Sequence, residues 1–280
     1  MTKSRVSAED NKRIALEGLC AFASICEQYN LRYYLAFGTL IGAVRHGGFI
    51  PWDDDIDIIM PRNDYEKLRS MSDLIKSPDW ELLSYSNEPD FLFPFMKYCN
   101  RKTVVTPSRF GSGFIYGLSI DVFPLDLCEG SDEESVKQEI FGIKYALKKK
   151  EEKCFKMGVF GTGFKYSVRR IVKRGLFYLN MSKVNALREE YDRIDRQLAA
   201  ETEKGGEYAV YMYDRYDTVW KASDFEGEGG QYSVLTFEGH KFTAPYNYDE
   251  VLKKSYGNYM ELPPKEKQIC IHTYEAYHLS

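Results

Sequence analysis

The sequence predicts an α/β (α+β) chain, a mixed sheet with helices packed against it. Three observations carry this prediction. Up to about residue 130, short apolar runs of strand length alternate with segments of helical period. Helical periodicity and charge then dominate residues 131–205. The remainder, 206–280, returns to short strands broken by glycine. The chain therefore divides into an α/β core at 1–130, a helical insertion at 131–205 and a small α+β segment at 206–280.

Taken in order, Asp10 can cap a helix to about Tyr29, with Ile14, Leu19, Phe22, Ala23 and Cys26 on one face. Leu31 to Leu35 reads as a strand leading into a Gly38-Thr39 turn and a short helix, Leu40 to Arg45, closed by Gly47-Gly48. Pro51-Trp52 admits a strand from Asp53 to Met60. Asn63 and Glu66 have the spacing of a capping box for the next helix. Strands follow at Trp80–Tyr85, Phe91–Tyr98, Thr103–Thr106 and Phe114–Val122, for a sheet of roughly five or six. Ser131 opens a charged helix to about Met157, and Lys183 to Lys204 forms another. Ser233–Phe237 and His240–Thr243 pair about Gly239. A last helix, Asp249–Tyr256, stops at Gly257 in the αL conformation, and Pro263-Pro264 forbids its resumption.

Composition narrows the class. At 280 residues and 44% hydrophobic, the chain has ample core. A net charge of −4 exerts no global pull on nucleic acid. No apolar stretch is long enough to span a membrane, and the first residues lack a signal region, so a cytoplasmic protein is expected. Six cysteines without C-x-x-C spacing read as reduced thiols. Charge is uneven: Lys144 to Arg174 holds eleven Lys or Arg against two Glu. Within it Phe164, Val168, Ile171, Val172 and Leu176 recur at helical spacing, between Arg169, Arg170, Lys173 and Arg174. Such a helix fits peripheral contact with an anionic inner membrane face and a packed helix with a solvated basic face equally well.

The chemistry concentrates between Leu35 and Met60. In a strand from Asp53, period two puts Asp53, Asp55 and Asp57 on one face and Asp54 on the other. Three carboxylates so close stay ionised together cheaply only around a cation, and hard oxygen donors suit Mg²⁺ or Mn²⁺. A calcium loop is excluded, because Ile58 and Asp64 stand where it needs Gly and Glu. Gly38 and Thr39 at a helix start offer backbone N–H groups to phosphate. Asp121, in the apolar run Leu118–Phe123, is the best third carboxylate, with Asp126 ranking lower. Arg45 can reach a phosphate; His46 and His272 read as structural, and Gly111-Ser112-Gly113 as a turn.

The run Gly38 to Asp57, GTLIGAVRHGGFIPWDDDID, resembles the LicD family, whose members include bacterial phosphocholine transferases and, distantly, fukutin-related ribitol-phosphate transferases. The similarity continues in Ile120–Asp126, in Phe237-Glu238-Gly239 with Pro245, and in Tyr256–Pro264. Asn258 departs from the Asp frequent in that family. The resemblance implies a nucleotidyltransferase-like fold with Asp55, Asp57 and Asp121 as catalytic metal ligands, and Gly38, Thr39, Arg45 and Asp53 at the phosphates. It implies transfer of phosphocholine or a similar phospho-alcohol from CDP-choline, or a related CDP-alcohol, to a glycan or lipid-linked glycan, such as lipopolysaccharide or a teichoic acid precursor. The alternatives are a nucleotidyltransferase acting on a small molecule such as an aminoglycoside, and an inactive sugar- or lipid-binding module. A choline headgroup would want an aromatic box, for which Trp52, Phe93, Tyr98 and Trp220 are candidates.

Overall fold

Periodicity in the first helix translates directly into burial. Helix α1 (Ala8–Tyr29) buries Ile14, Leu19, Phe22 and Cys26, the predicted face. Its cap is Ser7, not Asp10: the Ser7 hydroxyl accepts the Asp10 N–H at 3.0 Å, and Asp10 lies inside the first turn. The chain then runs through β1 (Tyr34–Leu35), α2 (Phe37–His46), β2 (Asp57–Pro61) and α3 (Arg62–Ser70). Next come β3 (Trp80–Leu83), β4 (Met96–Asn100), β5 (Thr103–Thr106) and β6 (Ser119–Cys128). The expected capping box is not formed. α3 leaves β2 directly at Pro61, so Asn63 is already helical, and Glu66 turns instead to Arg62 at 3.1 Å.

The computed structural model describes residues 4–88, 91, 93–106, 116–155, 181–212, 218–270 and 274–279. The candidate basic helix, Gly111-Ser112-Gly113 and His272 lie outside these residues.

A seven-stranded sheet forms the frame, one or two strands wider than expected. Its order is β1-β2-β6-β4-β3, and β7 (Tyr208–Val210) continues from β6 to β8 (Val219–Lys221). β2 and β6 run parallel, and every other pair is antiparallel. Register puts Asp57 opposite Asp121, and Asp121 opposite Lys97 on β4. Because side chains alternate, Ile58, Tyr98, Ile120 and Val122 share the other face, where Phe22 of α1 packs edge-on to Tyr98 at 5.7 Å.

The helical segment builds a second apolar cluster. From α4 (Glu133–Phe155) and α5 (Met181–Lys204), Ile140, Leu147, Leu187, Tyr191, Ile194 and Leu198 pack with Cys99, Val210 and Val219 of the sheet. The chain then continues through α6 (Ala222–Phe225), the hairpin β9 (Ser233–Phe237) and β10 (His240–Ala244), α7 (Tyr248–Tyr256), and β11 (Glu275–His278), which pairs with β5. Gly257 stops α7 at φ 64, but its ψ of −121 lies outside αL, a combination open essentially to glycine. Among the described residues no helix is long and apolar enough to cross a membrane.

Candidate active site

The acidic run does not begin as a strand. Residues 53–56 are irregular and β2 starts at Asp57, whose N–H is fixed by the Thr39 hydroxyl at 2.9 Å. A turn closes where the Asp53 N–H meets the Ile50 carbonyl at 2.9 Å, and Asn11 of α1 donates to the Asp54 carboxylate at 3.2 Å. The expected alternation, with Asp54 turned away, therefore fails. Carboxylate oxygens of Asp53, Asp54 and Asp55 all lie within 4.8 Å of one another. Hard oxygens at this spacing fit a divalent cation such as Mg²⁺.

Asp57 and Asp121 complete the acidic floor from adjacent parallel strands. Burial pushes the Asp57 carboxyl well above its ordinary range, and Asp55, Asp121 and Asp53 push it further, with Lys97 opposing them. Such mutual repulsion is what a bound cation would relieve.

Helix α2 presents its start to this floor. Ala36 at the N-cap makes no side-chain bond, and Phe37 holds an unusual φ of 45 for a non-glycine residue. A Cβ at Gly38 would sit 2.6 Å from Asp53 Oδ2 and would push that carboxylate aside. The predicted phosphate residues are thus placed differently from one another. Gly38 faces Asp53, and Thr39, whose backbone N–H is the predicted phosphate donor, also accepts the Asp57 N–H with its side-chain oxygen. Arg45 donates to the carbonyls of Tyr259 at 2.5 Å and Glu261 at 3.3 Å. His46 meets Trp52 edge-on at 6.4 Å.

Lys97 escaped sequence reasoning. Its ammonium pairs with Asp121 Oδ1 and lies 4.7, 5.3 and 5.7 Å from the ring centres of Phe93, Phe95 and Tyr116. Burial alone would lower its pKa, but the Asp121 charge holds it above the usual lysine value. The available signal was one lysine in the apolar run Phe93–Cys99, because a buried ammonium requires an acid. The four aromatic candidates do not form one box. Tyr98 is on the α1 face of the sheet, stacked on Trp80 at 5.2 Å, and Trp220 is core, packed on Phe225 at 5.5 Å. Phe93 alone belongs to the cage around Lys97.

Asp126 has a structural role. It is fully buried and accepts two bonds from Arg62, at 2.6 and 2.8 Å. Burial raises its pKa while Arg62 opposes the shift.

The distal similar segments converge on α2. Glu238, at φ 49 in the β9–β10 turn, accepts the Phe49 N–H at 2.9 Å and donates its own N–H to the Gly47 carbonyl at 2.9 Å. Phe237 packs on Phe49 at 4.9 Å, and the Tyr256–Pro264 stretch receives Arg45. Residues 30–158 match the LicD/FKTN/FKRP nucleotidyltransferase domain. Over that segment the chain is similar to the LicD family. It is 27% identical to the lipopolysaccharide cholinephosphotransferase LicD of Haemophilus influenzae, over 98% of both chains. Similarity to the human ribitol 5-phosphate transferase FKRP is 50% over 34 residues, 12% of this chain and 7% of that protein. The LicD-family motif thus supplies the acidic floor and the start of α2, and its distant pieces brace them.

Proposed function

We propose that the protein is a metal-dependent phosphotransferase that moves phosphocholine, or a similar phospho-alcohol, from a CDP-activated donor to a glycan hydroxyl. The observation that carries this reading is the register pair Asp57–Asp121 beside the Asp53–Asp55 cluster, inside the segment similar to the LicD family. The near full-length similarity to a lipopolysaccharide cholinephosphotransferase supports choline as the first headgroup to test.

In this reading Asp55, Asp57 and Asp121 hold Mg²⁺ or Mn²⁺, with Asp53 beside them. When bound, the metal neutralises charge on the phosphoryl oxygens and helps align the attacking and leaving oxygens. The first N–H groups of α2 receive donor phosphate, where the helix dipole favours negative charge. Gly38 keeps that approach open beside Asp53. Arg45, held on the 259–261 carbonyls, shapes this wall and is a phosphate ligand only if it leaves them. Asp121 is the candidate acceptor of the glycan hydroxyl proton. Lys97 holds one Asp121 oxygen, so the other serves either the metal or that proton, not both at once.

The test is a donor screen with Mg²⁺ and a lipooligosaccharide acceptor, using CDP-choline, CDP-ethanolamine, CDP-glycerol and CDP-ribitol. CMP release coupled to headgroup incorporation is expected with one of them. Pyrophosphate release from nucleoside triphosphates, with no CMP from any CDP-alcohol, would establish nucleotidyl transfer instead. For location, we propose the cytoplasmic side of the membrane, where lipid-linked glycans meet nucleotide donors.

A further inference from the structure

At the end of β2 away from the acidic floor lies a cavity of about 530 Å³, bounded by Pro61, the end of α5, α6 and residues 227–230. Pro61 lies four residue steps beyond Asp57 along β2, which is about 13 Å of strand. The volume falls within the range of about 300–1,000 Å³ usual for small-molecule sites.

Its chemistry is unlike that of the acidic floor. The charged lining residues are Arg32, Arg62, Glu226 and Glu228. Arg32 is spent on Asp64 at 2.7 Å and Glu226 at 2.6 Å, and Arg62 on the buried Asp126. Both cations are therefore matched, and a phosphate or carboxylate would find none to neutralise it. Asn63 and Ser223 add an amide and a hydroxyl, and the rings of Tyr34 and Phe225, 5.9 Å apart, add apolar faces.

Tyr34 provides the independent observation. The residue is 1% exposed and lines the cavity, and its hydroxyl has no hydrogen-bond partner. Burial raises its pKa and nearby Glu226 raises it further, so the group remains a neutral O–H donor. A buried hydroxyl left unpaired is costly; it is closed to a water-sized molecule here, so a ligand oxygen removes that cost only when a neighbouring lining side chain moves aside. Paired planar charges, an amide, hydroxyls and aromatic faces together match a neutral polyol, which presents vicinal hydroxyls on one side and C–H groups on the other.

We propose that this cavity binds a short neutral oligosaccharide, holding a part of the glycan acceptor remote from the transferred group. Its role as an acceptor subsite rests on the phosphotransferase reading; sugar binding rests on the cavity alone.

Binding is measured first, without donor, by saturation-transfer NMR on the full chain with lactose, maltotriose and chitotriose at about 10 mM, ample for a millimolar dissociation constant. At least one sugar should bind. Ser223→Trp, an exposed position on α6, should fill the cavity and weaken binding about tenfold or more. Tyr34→Phe should weaken it about three- to tenfold, the worth of one hydrogen bond, without lowering the Tm. Failure of all three sugars, or binding indifferent to both substitutions, overturns the site and leaves the hydroxyl an unpaired buried group. In the transfer assay, Ser223→Trp should raise KM for the long acceptor and spare hydrolysis of the CDP-alcohol. An unchanged acceptor KM in an active enzyme overturns the acceptor role. Sugar binding without CMP release from any CDP-alcohol overturns the phosphotransferase reading and leaves the cavity standing.

Discussion

At the scale of single residues, the acidic floor trades stability for chemistry. Asp57 is half-buried among like charges, so the metal-free protein bears their repulsion. Asp57→Asn should therefore raise the metal-free Tm by a few degrees, the equivalent of about 1 kcal/mol. The same change should cut kcat about 10²-fold, because charge neutralisation at the phosphoryl group is lost. Mg²⁺ should then stabilise the wild type more than the variant in a thermal-shift titration. Equal metal stabilisation of both would remove Asp57 from the ligand set. Gly38→Ala tests the neighbouring wall: a Cβ 2.6 Å from Asp53 Oδ2 must displace that carboxylate, so transfer should fall with little change in Tm. These residues were legible in the sequence because closely spaced carboxylates leave few reasons to exist. Lys97 was not, since its meaning lies in a partner on another strand and in three rings of one cage.

At the scale of elements, strand register decides which carboxylate can act. Asp121 and Asp126 are five residues apart on β6, so alternation sends them to opposite faces. Asp121 meets Asp57 and Lys97; Asp126 meets Arg62 at the start of α3, and Asp195 of α5 joins at 3.3 Å. This buried network ties α3 and α5 to the sheet. Asp126→Asn should leave the Arg62 cation poorly compensated and cost about 3–5 kcal/mol of stability. Measured by urea unfolding, that loss should appear with kcat largely retained at a permissive temperature, whereas Asp121→Asn should do the reverse. A catalytic collapse in both variants at equal stability would show that the two faces are not separate. Helices and hairpins were readable from period and turn residues, and Thr103–Thr106 keeps its predicted bounds. The start of β2 was not, because Thr39 and Asn11, distant in sequence, convert Asp53–Ile56 into a loop.

At the scale of the whole molecule, pieces far apart in sequence form one mechanical unit. The 206–280 segment supplies β7 and β8 to the main sheet, and its Trp220, Phe237, Phe242 and Leu252 are buried in the same cluster as Leu35 and Ile58. Phe237-Glu238 clasps the loop after α2, and the carbonyls of Tyr259 and Glu261 hold Arg45. Composition could suggest a C-terminal boundary at Gly205-Gly206, but long-range pairing cannot be read from local periodicity. A chain ending at residue 205 loses those four large side chains from the core, each worth about 1.5–3 kcal/mol when fully buried. Their sum is comparable with the whole stability of an ordinary domain, about 5–15 kcal/mol. Expressed alone, residues 1–205 should therefore show no cooperative thermal transition and weak near-UV circular dichroism. Adding residues 206–280 as a separate polypeptide should restore both signals if the two parts dock as they do in the intact chain. A cooperative melt of 1–205 by itself would show that the sheet and its acidic floor stand without the C-terminal brace.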